Sequence, residues 1–260
     1  SDVPDISSLY KDLLTGVEES GDDKLTLSSN NRLYIENSFS PLQSYSNVLT
    51  TNFNADVEAV NFAIGDNSAT VEQINTWVED KTNEKIKNLF SSIASDTRAI
   101  LINTIYFKAK WSNPFNQVIT QDVFYLDEKY AIKTDTMHVE ERLPYYESKD
   151  IELVKLPYAS DKSRISMVII KPKTRAGLSR LEKKLNYQFS EVSSWMSSVQ
   201  YKSLDLSIPK FKFETGAVDL VKILSREFQV TNMFDHNKAD FSRIGSDSLY
   251  VTSIVTKSFI

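Results

Sequence analysis

Ala99-Ile100-Leu101-Ile102-Asn103-Thr104-Ile105-Tyr106-Phe107 is almost continuously apolar, β-branched or aromatic. A run without the alternation of a half-exposed strand predicts a strand covered on both faces. Asn103 is its anomaly, because an amide in the middle of such a strand must find hydrogen-bond partners inside the fold. A strand this apolar does not belong at an edge, where its free backbone groups would recruit other chains. The run therefore reads as a central strand of a large sheet.

Toward the N-terminus, Val71, Ile74, Val78, Ile86 and Leu89 recur at helical spacing between residues 66 and 90, with Ser68 as the cap. Residues 57–62 alternate as a strand does. Leu25, Leu27, Leu33 and Ile35 show period two, with Asn30-Asn31 interrupting, which reads as strand around a bend. Ile6, Leu9, Leu13 and Leu14 share one face of a first helix. Toward the C-terminus, 151–156, 165–170, 204–208 and 249–260 read as strands, and 177–185 and 218–228 as helices. No linker-like stretch or repeat of fixed period interrupts the chain. Residues 1–260 thus form a single α+β domain with a large sheet.

The composition removes several functions. Thirty Lys and Arg against thirty-five Asp and Glu leave a formal charge of −5, and no basic run offers phosphate neutralisation, so a nucleic-acid partner is disfavoured. The chain has no cysteine, which excludes disulfides, zinc–thiolate sites and thiol nucleophiles. No apolar stretch reaches the roughly 20 residues of a membrane span. Ser1-Asp2-Val3-Pro4-Asp5 has neither the basic start nor the apolar core of a signal peptide and lacks an initiator Met, so the chain reads as processed or trimmed.

Catalytic signatures are equally scarce. The histidines are His138 and His236, and no Gly-x-Ser-x-Gly elbow accompanies them. His236 with Asp235 and Asp240 could be drawn as a metal site, but two or three such residues in one loop read more simply as solvated. Glu140, Glu141, Asp161 and Asp247 are dispersed among lysines and read as solvated faces. No phosphate-binding glycine loop occurs. Neither an enzyme nor a cofactor is indicated.

A family resemblance enters through longer stretches. Residues 97–111, ending Phe107-Lys108-Ala109-Lys110-Trp111 and followed by Asn113-Pro114-Phe115, resemble the central strand and following turn of the serpins. In the same order as in that family, Ile74-Asn75-Thr76-Trp77-Val78-Glu79-Asp80-Lys81-Thr82-Asn83-Glu84-Lys85-Ile86 resembles the helix lying across the main sheet, which the resemblance runs from Asp66 to about Thr82 with Trp77 and Val78 as buried contacts, and Leu206-Ser207-Ile208-Pro209-Lys210-Phe211 resembles a strand of sheet B or C. Met233-Phe234, Ala239-Asp240-Phe241-Ser242 and Val255-Thr256-Lys257-Ser258-Phe259-Ile260 complete the series. Against the family pattern the chain begins near the fourth helix and stops part-way along the strand that leads into the reactive loop. It reads as a single serpin domain incomplete at both ends.

The resemblance implies a serpin fold, with a large mixed sheet A, sheets B and C and surrounding helices. It implies irreversible inhibition of a serine or cysteine protease, in which the cleaved reactive loop inserts as an extra strand of sheet A. The alternative within the family is a non-inhibitory carrier, chaperone or storage protein. The sheet-opening and loop-insertion region then comprises Asn103, Trp111, Thr256 and Lys257, with residues 99–107 and 250–260 as the strands that part; the plainer alternatives are an Asn103 amide satisfied locally by backbone and a Trp111 that is a large core anchor. Thr256 stands where the family pattern usually has a histidine partnering the asparagine; a hydroxyl is shorter and does not titrate near neutral pH, which puts that pairing in doubt unless water fills the gap. The helix that binds heparin in some members corresponds to the first segment, where only Lys11 faces Asp12, Glu18 and Glu19, so heparin binding there is disfavoured. A monomer is expected. The compartment stays open, with an extracellular location favoured over a cytoplasmic one although no Asn-x-Ser/Thr acceptor is present.

Overall fold

In a computed structural model of the chain, the described residues are 6–19, 21–162, 164–212, 216–245 and 249–259. Backbone packing divides them into two units, one built from residues up to 21, 26–108 and 213 onward, the other from 22–25 and 109–212. The expected apolar face of the first helix depends on Ile6, Leu13 and Leu14, whose side chains lie outside the described residues, as do Asp247 and Ile260.

The first unit opens with α1 (Ile6–Glu19), β1 (Leu25–Glu36), α2 (Gln43–Phe53), β2 (Ala55–Val60), α3 (Ser68–Lys81) and β3 (Ala99–Ala109). β1 runs straight through Asn30-Asn31, where a bend was expected. Asn30 Nδ2 reaches Ser28 Oγ (3.1 Å) and Asn31 Nδ2 reaches Phe53 O (3.2 Å), so both amides are satisfied without breaking the strand. β1 and β2 pair in parallel, which requires the crossover that α2 supplies. α2 was not foreseen. Tyr45, Val48, Leu49 and Phe53 stand at helical spacing in it, and Tyr45 and Leu49 pack against the cluster of Leu33 and Ile35, although the helix fully buries no residue.

α3 ends at Lys81, well short of Phe90. Asn83 and Glu84 take φ of 55° and 60°, which an α-helix cannot continue through. Thr82 closes the end: its hydroxyl donates to Val78 O (2.7 Å) and accepts from Ile86 N (3.1 Å). The chain beyond still buries Ile86 and Leu89, so the apolar spacing was real although the helix was not. At the other end Asn67 is the N-cap and Ser68 is already helical; the Ser68 N–H is accepted by Asp66 Oδ1 (3.1 Å).

The second unit contains β4 (Thr120–Tyr125), β5 (Ala131–Glu147), β6 (Ile151–Pro157), β7 (Ser166–Pro172), α4 (Leu178–Tyr187), α5 (Ser190–Ser197) and β8 (Gln200–Pro209). Here β5 is the spine. Antiparallel ladders join it to β4 at its start, to β8 through its middle and to β6 at its end, and β7 follows β6. The two sheets expected beside sheet A thus share one strand and one continuous path. α4 and α5 cover one face through Leu181, Val192 and Trp195 against Ile151 and Leu153.

The chain then returns to the first unit with β9 (Val218–Asp219), α6 (Val221–Arg226) and β10 (Ser253–Phe259). The helix expected over 218–228 is only six residues long, because Val218 and Asp219 pair with β10. The five-stranded mixed sheet has the order β2-β1-β3-β10-β9, which places β3 at its centre. One face of β3 is closed: Ile100 and Ile102 pack with Tyr34, Phe62, Val255 and the α3 residues Ile74, Trp77 and Val78. The other face is less covered than a doubly buried strand requires. Ala99 joins Leu33, Ile35, Phe39, Ile244 and Leu249, but Leu101 is 36% exposed. Among the described residues no helix is long and apolar enough to cross a membrane.

Candidate functional site: the seam between β3 and β10

β10 lies beside β3 in parallel through seven residue pairs, from Ser253 opposite Ile100 to Phe259 opposite Tyr106. The seam begins at Thr252, whose backbone N–H (3.2 Å) and hydroxyl (2.8 Å) both donate to Ala99 O. Beyond that point parallel ladder bonds alone would hold the strands, were it not for Asn103.

Asn103 is half-buried on the less covered face. Its Nδ2 donates to Asn31 Oδ1 (2.9 Å) and, at longer range, to Ser29 Oγ (3.4 Å). Its Oδ1 accepts the Thr256 hydroxyl (3.2 Å). One amide therefore ties three adjacent strands, β1, β3 and β10, because Asn103 and Thr256 are register partners and their side chains emerge on the same face. The shorter side chain of Thr256 reaches Asn103 directly, with no gap left for water. Sequence reading singled out Asn103 and Thr256 but missed Ser29 and Asn31. Asn31 was legible as an oddity, a polar residue in a period-two run; its partner was not.

Lys257 follows on the opposite face, in register with the buried Thr104. Trp111 lies in the second unit, where its ring stacks on Tyr158 (4.6 Å between centroids, 15° between planes) and meets Phe115 edge-on (5.8 Å, 78°).

The closed face of the sheet meets α3 through a polar arrangement that sequence reading did not find. The Arg32 guanidinium of β1 lies over the Trp77 ring (4.8 Å) and near the Tyr34 ring (5.8 Å), while its terminal nitrogens face Asp56 Oδ2 (3.2 Å) and Glu58 Oε2 (3.7 Å) of β2. Arg32 Nε, Tyr34 OH and Trp77 Nε1 are buried without a hydrogen-bond partner among the described residues. Burial pushes the Tyr34 hydroxyl up to about 12. The helix–sheet contact is thus strong in stacking and weak in hydrogen bonding, since each unsatisfied donor costs roughly 1–3 kcal/mol. At the far end of β1, Glu36 is 4% exposed and its Oε2 accepts the N–H groups of Phe62 (2.8 Å) and Ala63 (3.1 Å), which fixes the chain leading into α3.

The loop once drawn as a metal site is internally satisfied. Asp235 pairs with Lys238 (3.2 Å), Asp240 Oδ1 accepts Ser242 N (3.1 Å), and His236 lies edge-on to Tyr250 (5.6 Å). Among the described residues no group of three or more His, Cys, Asp or Glu is placed to hold a metal.

Comparison with known proteins agrees with this geometry. The family model "Serpin (serine protease inhibitor)" matches residues 1–260. Serpin B12 of Mus musculus is 34% identical over 247 residues, covering 90% of this chain and 57% of that protein. A serine protease inhibitor of Cyanea capillata is 32% identical over 270 residues, covering 98% and 69%. The crystal structure of Serpin48 of Tenebrio molitor superposes with a TM-score of 0.86 at 29% identity, covering 100% of this chain and 69% of that one. The chain belongs to the serpin family. It spans 57% to 69% of the length of these relatives.

Proposed function

We propose that this chain forms the sheet-opening body of an irreversible serine-protease inhibitor, in which β3 and β10 part to admit a further strand. The observation that carries the reading is the seam itself: two parallel neighbours at the middle of a mixed sheet, held by one ladder, the Thr252 hydroxyl on Ala99 O and the side-chain bridge from Asn103 to Thr256. A strand inserted between them would form a ladder on each side. At about 1 kcal/mol net per hydrogen bond, a dozen new bonds contribute on the order of 10 kcal/mol, as much as a typical domain's whole stability. Such a gain makes the closed sheet a kinetically held state whose lifetime depends on the barrier to parting. The under-bonded α3 contact fits this, since a helix lying over the sheet must yield when the strands separate.

Incubating the protein with a panel of serine proteases, with cysteine proteases alongside, and resolving the mixtures on denaturing gels tests the inhibitor reading. An SDS-stable adduct of protease and inhibitor supports it, whereas cleavage without adduct points to a carrier or storage role. For the 260-residue chain alone, a synthetic β-strand peptide of about a dozen residues should bind and raise the thermal midpoint by ten degrees or more. An unmoved midpoint at saturating peptide would count against an openable seam.

A further inference from the structure

His138 was set aside in the sequence because nothing around it signalled chemistry, yet the fold gives it a serine and an aspartate. β5 presents it directly opposite Ser207 of β8, while β4 brings Thr120 and Asp122 alongside, in register with Thr136 and Thr134. Met137 and Ile208, the alternate residues on the two strands, pack into the apolar cluster of the second unit. His138 and Ser207 therefore share the outward face, where Ser207 is exposed and the His138 side chain is 26% exposed.

Four distances set the direction of the protons. The Thr120 hydroxyl donates to Asp122 Oδ2 (2.9 Å). Having spent its hydrogen, Thr120 Oγ1 can only accept from His138 Nε2, which lies 2.6 Å away and also 3.2 Å from Asp122 Oδ2. Nε2 then carries a proton, and in the neutral imidazole Nδ1 holds the lone pair. To that lone pair Ser207 Oγ, 2.9 Å from Nδ1, is the donor. Turning the ring over would set carbons against these oxygens, so the network selects one orientation and one tautomer. A serine hydroxyl donating to a neutral imidazole whose far nitrogen is held by a carboxylate is the arrangement that activates a nucleophile.

The geometry points to Ser207 as an acylation site, with His138 as its general base and Thr120 and Asp122 as positioning residues. The matching reagents are small activated esters and organophosphonates, because the open strand face admits them from solvent and offers no pocket to select a larger group. In the step, Ser207 Oγ bonds to the carbonyl carbon or phosphorus as its proton passes to His138 Nδ1. The leaving group departs with the electron pair of the broken bond and takes the proton back. Asp122 stabilises the imidazolium in between. A mid-strand serine has no preorganised oxyanion pocket, so the product is a stoichiometrically modified serine rather than a turned-over substrate. The other charged groups on this face are Glu140 and Arg142 of β5 and Asp205 of β8, Asp205 lying opposite Glu140.

An alkyl fluorophosphonate probe followed by peptide mapping of the whole protein tests this. Ser207 should label at least tenfold faster than any other serine, and the rate should fall in acid. His138→Gln should slow labelling at Ser207 tenfold or more and remove that pH dependence; Asp122→Asn should slow it less and alter the pH profile. Circular dichroism of each variant separates these effects from unfolding, and a Thr120→Val variant provides a second perturbation of the same nitrogen. Labelling spread evenly over the serines, or a His138→Gln protein that labels Ser207 as fast as the parent, would overturn the assignment.

Discussion

Asn103 has one amide with which to hold two neighbours, and that makes it the residue whose loss is felt most in motion. Replacing it with Ala removes the bridge to Thr256 and the bond to Asn31, and should cost about 1–2 kcal/mol of stability while changing the rate of peptide insertion or heat-induced self-association several-fold. Insertion kinetics beside a thermal melt checks this; a variant equal to the parent in both would remove Asn103 from the seam's control. Glu36 answers to a simpler account. Glu36→Ala would leave the Phe62 and Ala63 N–H groups without their acceptor, a loss of roughly 1–3 kcal/mol readable by denaturant unfolding. In the second unit, Asp22 accepts from the Ser160 hydroxyl and from the Asp161, Lys24 and Leu25 N–H groups, and these hold its carboxyl well below the usual carboxylate range. A lowered folded-state pKa stabilises above the unfolded value, about 4, and the benefit is lost as pH falls below it. The gap in melting temperature between the parent and Asp22→Asn should therefore be full at pH 6 and close as the pH is taken toward 2.

α3 shows how periodicity alone marks the type of an element better than its extent. Its apolar spacing marked Val71, Ile74 and Val78, and all three are buried. The same spacing continued through Ile86 and Leu89, where backbone conformation and the Thr82 hydroxyl end the helix. Trp77→Ala should cost about 3–5 kcal/mol by leaving a cavity under the helix. Arg32→Met keeps the bulk but not the charge; it should loosen α3 selectively, seen as faster amide exchange over residues 68–81 with β3 unchanged. Equal acceleration in both elements would show that Arg32 supports the whole sheet. β5 was missed because its 17 residues pass from β4 to β8 to β6 as neighbours, so that exposed residues such as Asp135 and Glu140 break up the pattern that a strand in one uniform environment would show.

At the scale of the whole molecule, the proposed inhibitor depends on a sheet that opens between two strands far apart in sequence. If it does, binding of a strand peptide should also abolish self-association, because the same seam cannot hold two guests; peptide-saturated protein that still polymerises on heating would separate the two processes. The central place of residues 99–107, the helix over the sheet and the family itself were determined by the sequence alone, since each rests on local pattern or on contiguous motif. Tertiary structure alone decided that Asn103 meets Asn31, 72 positions away, and Thr256, 153 away, that Trp111 stacks on Tyr158, and that His138 faces Ser207. Those contacts follow from strand register, and register is set by the packing of whole elements, which no stretch of a few residues encodes.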